Sequence, residues 1–429
     1  MKRLSLFFTI ALVLLSTNTF AQTASFVRER IEEIVSRFHE NPGGAYDTLF
    51  TSAFLAQIPE SKLNPLFIQY AKDYGTVSRW YYTDSSQTAR AAAKLVMSNG
   101  YTVDMHIAVE EEDKHLIKGL VIGMGTPLAT SLDEVMTKFK ALPGTVGFLA
   151  ARLRGTKIEP IAALNVDTAL ALGSAFKLYV LAELVHEIEQ GKRHWRDVIV
   201  LDSASRSLPS GMMHEWPAGT PITLQAAATL MISISDNTAT DLLIHTFGRT
   251  NIEQMVARAH NSHVALDVPF LTTLEDFKLK ANDKRLGMAY IRMSRAARRR
   301  YLAKTVAEFP RDSVATVGSP AMNRDIEWFA SPRDIANVFV WLLTHSERGP
   351  GMRAREILSI NPILPLDKKR WKYIGAKGGS EPGVIDVSYL LQSSKGDWYV
   401  LTGTWNDPEK EVDETKFEGY ITRAAELLP

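Results

Sequence analysis

The spacing of apolar positions predicts two folded units along the chain. Residues 26–38 and 63–74 have the period of amphipathic helices, and four runs of alternating apolar residues follow them. Helices followed by such a meander predict an α+β domain over residues 24–127, in which a sheet wraps on helices. We expect residues 124–127 to be the linker to the second unit. The predicted strands cover residues 77–82, 89–97, 101–109 and 115–122.

The second unit, residues 131–429, has strand-like patterns near both ends and helical patterns between them. Both ends therefore contribute to one predicted antiparallel sheet, with helices packed against it and an all-helical subdomain beside it. The fold class of both units is α+β. The predicted outer elements are a helix at 131–142, a hairpin of 144–152 and 157–164, strands at 383–392 and 398–405, and a helix at 414–428.

Three short motifs in the second unit carry the candidate chemistry: Ser174-Ala-Phe-Lys177, Ser235-Asp-Asn237 and Lys377-Gly-Gly-Ser380. Residues three apart on a helix share a face, so the Ser174 hydroxyl and the Lys177 amine can meet. A serine hydroxyl becomes a good nucleophile when a neighbouring base takes its proton. Lysine can be that base when burial or a nearby cation such as Lys377 lowers its pKa. The pattern indicates a serine hydrolase that needs neither histidine nor a metal.

Each motif has the local setting that this chemistry requires. Ser174 opens an apolar helix, whose first N–H groups favour developing negative charge. Ser235 lies on a predicted turn between two apolar helices, where a short polar side chain can point into a cleft. The glycines of the third motif let a ligand approach the strand edge closely.

The three motifs resemble those of the penicillin-binding and class A β-lactamase-like family of serine hydrolases. The resemblance covers residues 131–429 and extends to the stretches 217–224 and 331–336. It implies a β-lactamase-like domain that uses no cofactor or metal. The implied roles are nucleophile for Ser174, general base of acylation for Lys177, proton relay for Ser235, amide contact for Asn237, carboxylate anchor for Lys377, and substrate binding for Gly379 and Ser380, with the N–H groups of Ser174 and Ser380 as oxyanion hole.

Two departures from the family pattern bear on the substrate. Gly378 stands where the family usually has threonine or serine, which removes a hydroxyl that would help to hold a substrate carboxylate. The Glu-x-x-x-Asn loop that activates the deacylating water has no counterpart in residues 312–323, and Glu308 and Glu327 flank this stretch without the right spacing. We therefore expect slow release of the acyl group from β-lactams.

The expected substrate is a small-molecule amide or ester. A β-lactam and an ester or peptide of similar size both remain open at this stage. A non-catalytic binder of cell-wall peptides is the alternative from another functional class. The intact nucleophile, base and relay favour an enzyme over such a binder.

Composition agrees with a globular hydrolase. The 429 residues are 45% hydrophobic, enough for two buried cores, and the net charge of +1 gives no reason to expect a nucleic-acid partner. The chain has no cysteine, which excludes disulfides and thiol catalysis. His260 and His263 lack the spacing of a zinc hydrolase.

The N-terminus has the pattern of a secretory signal. Lys2 and Arg3 precede an apolar run over residues 4–15, and Ala21 offers a cleavage site before Gln22. The run is too short to span a bilayer. We expect residues 1–21 to be a signal peptide and the mature protein to be secreted, in the periplasm, without stable membrane insertion.

Two further segments have open roles. Residues 24–127 resemble the cone-shaped fold of nuclear-transport-factor-like and ketosteroid-isomerase-like domains, and this arrangement before a β-lactamase-like domain resembles proteins encoded in clavam biosynthesis clusters. Such a domain is expected to pack or to position substrate without chemistry of its own. Residues 278–304 hold ten basic side chains against one acidic, Asp283. They form either a solvated helical face or a rim that attracts anionic substrate, cell-wall polymer or lipid headgroups.

Overall fold

The computed structural model describes residues 25–39, 45–112, 114–280, 285–314 and 324–429. The chain divides into two compact units, with the boundary between Leu128 and Ala129. The predicted signal peptide lies outside the described residues. Within the described ranges, none of the helices combines the length and the apolar character that a bilayer span needs.

The first unit pairs three helices with a four-stranded antiparallel sheet. The first and third helices each bury an apolar stripe, as amphipathic spacing requires: Val27, Ile31 and Ile34 on the first, and Leu63, Phe67 and Tyr74 on the third. The likeness to a nuclear-transport-factor-like domain stays a prediction. In chain order the elements are α1 (Ser25–Val35), α2 (Ser52–Gln57), α3 (Glu60–Tyr74), β1 (Val77–Gln87), β2 (Arg90–Met97), β3 (Tyr101–Val109) and β4 (Ile117–Pro127).

The prediction of a linker at residues 124–127 is wrong, because these residues complete β4. Thr126 is the register partner of Thr102 on β3, and the two hydroxyl groups are 3.0 Å apart. A Cβ atom on Gly125 would lie 2.4 Å from the ring of Tyr74. The glycine that suggests a linker in the sequence is therefore a place where a buried aromatic ring meets the strand.

The second unit is built on a five-stranded antiparallel sheet to which both of its ends contribute, as predicted. The strand order is β11-β12-β13-β5-β6, so β11 is an edge strand. The strands are β5 (Thr145–Arg154), β6 (Lys157–Leu164), β7 (Leu170–Ala171), β8 (Val198–Val200), β9 (Pro221–Thr223), β10 (Phe329–Ala330), β11 (Trp371–Glu381), β12 (Val384–Ser393) and β13 (Trp398–Asn406). The short pairs β7–β10 and β8–β9 are outside the sequence prediction.

Helices cover both faces of this sheet. Gly147 lies against Pro332 of α12, and Gly403 lies against Ile421 of α14. Thr404 is the register partner of Gly147, so these two residues face the same side of the sheet. Gly403 is next to Thr404 and faces the other side, so the two helices pack on opposite faces. The helices are α4 (Leu132–Lys140), α5 (Lys177–Glu189), α6 (Leu224–Ser233), α7 (Asn237–Phe247), α8 (Arg249–Arg258), α9 (Thr273–Lys280), α10 (Arg285–Ile291), α11 (Arg295–Tyr301), α12 (Pro332–His345), α13 (Met352–Leu358) and α14 (Glu414–Leu427). This mixed architecture confirms the predicted α+β fold class.

The largest core surrounds α5, nearly all of whose residues are buried. An all-round apolar helix is typical of the centre of a large domain. Because α5 is held on every side, the residues at its N-terminal end have fixed positions. The candidate nucleophile and base lie at this end.

Candidate active site

Ser174 and Lys177 lie at the junction of two kinds of helix. Ser174 belongs to a short 3₁₀ helix, Gly173–Phe176, and Lys177 is the first residue of α5. The motif is thus a tight turn that enters the buried helix, where the sequence predicts a helix start. Ser174 lines two cavities, while the Lys177 side chain is fully buried.

The Lys177 amine is the centre of a buried hydrogen-bond network. Its Nζ donates to the Ser235 carbonyl oxygen at 2.6 Å, to Ser235 Oγ at 3.0 Å and to Asn237 Oδ1 at 2.7 Å. Burial, and then the charge of Lys377, hold the pKa of Lys177 well below its ordinary value. This shift favours the neutral amine, which is the form of lysine that can accept a proton.

Ser235 connects the two lysines of the site. Its Oγ lies 3.0 Å from Lys177 Nζ and 3.2 Å from Lys377 Nζ, so it can pass a proton between them. The residue has φ of +57°, a left-handed conformation that is uncommon outside glycine. Such strain is often found where a fold holds a functional side chain in place.

The rest of the second motif holds the turn in position. Asp236 caps α7 by accepting from the Ala239 N–H at 2.8 Å, and its other oxygen accepts from the N–H groups of Met212 and Met213 at 2.7 and 2.9 Å. Asn237 accepts from Lys177, and its Nδ2 donates to the Leu208 carbonyl at 3.2 Å. Asp236 therefore holds the turn in place, whereas Ser235 and Asn237 contact Lys177.

The third motif lies inside the edge strand β11 and approaches Ser174 through its backbone. A Cβ atom on Gly379 would lie 2.3 Å from the Ser174 nitrogen and 2.3 Å from the Leu172 carbonyl oxygen. A Cβ atom on Gly173, which has φ of +52°, would lie 3.0 Å from the Ser380 nitrogen. Glycine at both positions lets the main chains of Ser174 and Ser380 come together as an oxyanion hole needs.

Two cavities share the lining residues Ser174, Ser210, Ser380 and Glu414. The first, of about 470 Å³, is here called the acidic lobe because its charged lining residues, within the described part of the chain, are Asp276, Glu381, Glu411 and Glu414. The second, of about 380 Å³, is called the lysine lobe because Lys377 lines it, together with Asp386, Glu414 and Glu418. Of the predicted site residues, those that line one or both cavities are Ser174, Ser235, Asn237, Lys377, Gly379 and Ser380. Lys177 is buried behind them and contacts Ser235 and Asn237.

Comparison with known proteins assigns the chain to a family. A model described as "Beta-lactamase enzyme family" matches residues 127–355, just over half of the chain. The chain belongs to the β-lactamase enzyme family. The match contains the first two motifs, while the strand motif at residues 377–380 follows it in the sequence. Comparison of this chain with curated proteins found no match.

Solved structures of β-lactamases and a penicillin-binding protein are similar to this chain. A β-lactamase from Sphaerobacter thermophilus DSM 20745 is 23% identical with a TM-score of 0.47, over 70% of this chain and 97% of that one. A β-lactamase from Chitinophaga pinensis DSM 2588 is 17% identical with a TM-score of 0.46, over 70% and 98%. The structure of PBP-A is 15% identical with a TM-score of 0.45, over 69% and 96%.

The structure describes the surroundings of Gly378 and part of the stretch that lacks the glutamate motif, the two departures from the β-lactamase pattern. A Cβ atom on Gly378 would lie 2.8 Å from the Asp386 carbonyl oxygen and 3.2 Å from Ile363 Cδ1, so a hydroxyl-bearing residue would need the strands to shift. Residues 315–323, most of the stretch without the glutamate motif, lie outside the described residues. Glu308 and Asp312 line a separate cavity.

The remaining flanking carboxylate, Glu327, belongs to a buried ionic cluster that the motifs did not indicate. Lys280 Nζ donates to Glu327 Oε2 and Glu381 Oε2, both at 2.6 Å, and lies 3.0 Å from Asp276 Oδ2. Burial would lower the pKa of Lys280, but the three carboxylates outweigh that effect and hold it well above its ordinary value. The carboxylate oxygens are close enough for a metal ion, and the ammonium supplies the positive charge there.

Only part of this cluster could be read from the sequence. Asp276 and Lys280 are four residues apart on α9, a spacing that favours an ion pair. Glu327 and Glu381 come from distant segments, and only the fold brings them to Lys280.

Several basic residues of segment 278–304 are used inside the protein and are not part of a surface rim. Lys278 donates to the carbonyl oxygens of Val306 and Ala307, and Lys280 is in the ionic cluster. Outside residues 281–284, which the structure does not describe, the exposed basic residues of the segment are Arg285, Arg292, Arg295, Arg300 and Lys304. Contact of these five with an anionic polymer or lipid stays a prediction.

The charge of the lysine lobe is expected to fall across neutral pH. Burial lowers the pKa of Lys377 to about 7, with Asp386 opposing the shift, and burial raises the pKa of Asp386 to about 7. Deprotonation of either group makes the lobe less positive. A substrate carboxylate is already ionised above about pH 5. The kcat/KM for an anionic substrate, divided by the kcat/KM for a matched neutral substrate, should therefore fall as the pH rises from about 6 to about 8. Titration of Lys177 changes both kcat/KM values and cancels from this ratio. A constant ratio would contradict the anchor role of Lys377.

Proposed function

We propose that the protein is an exported serine hydrolase that forms an acyl-enzyme at Ser174 with a β-lactam or a related amide or ester. The observation that carries this proposal is the chain of contacts from Lys177 Nζ through Ser235 Oγ to Lys377 Nζ beside Ser174. Membership of the β-lactamase enzyme family supports it.

In the proposed acylation step, neutral Lys177 accepts the Ser174 proton as Ser174 Oγ bonds to the substrate carbonyl carbon. The N–H groups of Ser174 and Ser380 stabilise the negative charge on the carbonyl oxygen. When the intermediate collapses, the leaving nitrogen or oxygen takes a proton from Ser235, and Lys177 returns its proton to Ser235. Lys377 attracts a carboxylate on the leaving side of the substrate.

Deacylation is the proposed slow step on β-lactams. Residues 312–323 lack the Glu-x-x-x-Asn motif that activates the second water in the family, so Lys177 is the base that we propose for this step. A small ester leaves room for that water, whereas a bulky opened lactam blocks it. An ester or peptide as natural substrate, and a peptide binder that does not turn over, are the alternatives that the experiment below separates.

Export is proposed from the N-terminal pattern alone. Lys2, Arg3, the apolar run and Ala21 have the order of a cleaved secretory signal. N-terminal sequencing of protein from a periplasmic extract should start at Gln22. A start at Met1 would contradict export by this signal.

Active-site labelling tests the proposed nucleophile. Wild-type protein incubated with a fluorescent penicillin or a fluorophosphonate should become labelled, and Ser174→Ala should not. Ser210→Ala is a matched control, because Ser210 lines the same two cavities but lies outside the Ser-x-x-Lys motif. Equal labelling of wild type and Ser174→Ala would refute Ser174 as the nucleophile. Unlabelled wild type with bound ligand would favour the peptide binder.

A further inference from the structure

The two cavities that flank Ser174 differ in their charged lining residues. The lysine lobe contains the Lys377 amine together with Asp386, Glu414 and Glu418, whereas the described charged side chains that line the acidic lobe are all carboxylic. Asp276 and Glu381 lie deep in the acidic lobe, and Glu411 and Glu414 are exposed on the protein surface. A substrate that lies across Ser174 therefore has the Lys377 amine on one side, and on the other side a cavity whose described charged side chains are all carboxylic.

Asp276 has a carboxyl oxygen that is not satisfied by the described residues. Its Oδ2 lies 3.0 Å from Lys280 Nζ, but its Oδ1 is buried and has no hydrogen-bond partner there. The residue is 1% exposed and lines the acidic lobe. A buried acceptor without a donor is costly, so a donor group in the lobe would bind there favourably.

The ionic cluster has more acid than base. One ammonium, that of Lys280, faces Asp276, Glu327 and Glu381. Burial raises the pKa of Asp276 to about 8 although the Lys280 charge opposes the shift, so this carboxyl group retains a proton at neutral pH. When a second cation enters the lobe, Asp276 can lose this proton and become a carboxylate. The total charge of the lobe then stays the same.

Part of the remaining wall of the lobe is apolar and aromatic. Trp328 stacks on Phe176 with ring centroids 3.7 Å apart, and both line the cavity together with Phe277 and Pro209. Such walls fit the hydrocarbon part of a ligand, and aromatic faces also attract cations. Apolar walls around a few carboxyl groups are the chemistry that recognises an amine on an organic side chain.

We propose that the acidic lobe is a subsite for a primary ammonium group on the acyl part of the substrate, bound by Asp276 Oδ1 and Glu381. The inference rests on the proposed function, because it takes the substrate carboxylate to lie in the lysine lobe. The preferred substrate is then zwitterionic, with an amine on the acyl side and a carboxylate on the leaving side of the bond that Ser174 attacks.

Ampicillin and benzylpenicillin test this, because they differ by one ammonium group on the acyl side chain. The second-order rate of Ser174 acylation should be about tenfold higher with ampicillin, as one charge-assisted hydrogen bond in a buried site allows. Glu381→Gln and Asp276→Asn should each bring the two rates close together. Glu409→Gln removes an exposed charge on the same loop as Glu411 and should leave the preference unchanged.

A binding measurement separates failure of this inference from failure of the proposed function. With Ser174→Ala protein, titration calorimetry should give tighter binding for benzylammonium than for benzyl alcohol, by about tenfold, and Glu381→Gln should remove the difference. If circular dichroism shows that Asp276→Asn does not fold, the comparison of wild type with Glu381→Gln tests the subsite. Equal binding of amine and alcohol would overturn the subsite even if Ser174 is acylated. Selective amine binding without any acylation would support the subsite and refute the hydrolase.

Discussion

Lys177→Ala should lower kcat/KM for acylation roughly 100-fold or more, the loss expected when a general base is removed. The amine is fully buried and its three hydrogen bonds join Ser235 and Asn237, so water is a poor replacement for it. Stopped-flow hydrolysis of a chromogenic ester measures the rate. Added methylamine should restore part of the activity, since it can occupy the space that alanine leaves.

Lys377→Ala is the matched comparison, because it removes the other buried lysine that contacts Ser235. We expect it to weaken substrates that carry a carboxylate far more than neutral ones. Thermal unfolding of both variants shows whether the loss reflects folding. If Lys177→Ala keeps activity near the wild-type level, or if the folded variant shows no amine rescue, Lys177 is not the base. Equal loss on neutral and anionic substrates in Lys377→Ala would contradict the separation of roles.

Gly379→Ala should lower the rate of Ser174 labelling roughly 100- to 1000-fold, the range for loss of an oxyanion-hole donor. The added Cβ atom would lie 2.3 Å from both the Ser174 nitrogen and the Leu172 carbonyl oxygen, so β11 must move away from Ser174. The Ser380 N–H moves with the strand. The labelling rate with a fluorescent penicillin measures the effect.

Gly119→Ala is the control for this substitution, since Gly119 also lies in a strand but its Cβ would make an ordinary 3.5 Å contact with Ala108. It should label at the wild-type rate. Circular dichroism should show that both variants are folded. A Gly379→Ala protein that labels as fast as wild type would show that this close approach is not needed for the reaction.

The parts of the site that could be predicted are those that local sequence carries. Ser174 and Lys177 are three residues apart at the start of an apolar segment, and that spacing alone places them on one face. The shared sheet was predictable because alternating apolar runs occur near both ends of the second unit. The motif glycine Gly379 was predictable as a point of close approach, although the group it approaches was not.

Other features depend on contacts between distant segments. Nothing near Lys280 in the sequence indicates that Glu327 and Glu381 will surround it, or that the cluster will form a wall of the cavity at Ser174. The chain also suggests a linker at residues 124–127, because glycine and proline are typical of linkers. The structure explains the glycine at position 125 differently: Gly125 pairs with β3, and the ring of Tyr74 leaves no room for a side chain there.

Intact-mass spectrometry over time tests the Ser174 acyl-enzyme most directly. Wild type and Ser174→Ala are mixed with benzylpenicillin or with a short-chain chromogenic ester and sampled at intervals. We predict that wild type gains the mass of one benzylpenicillin on the peptide that contains Ser174, that this adduct persists for minutes, and that the ester adduct disappears quickly. A burst of one product per enzyme should accompany the penicillin reaction. No adduct on wild type, or the same adduct on Ser174→Ala, would contradict a Ser174 acyl-enzyme.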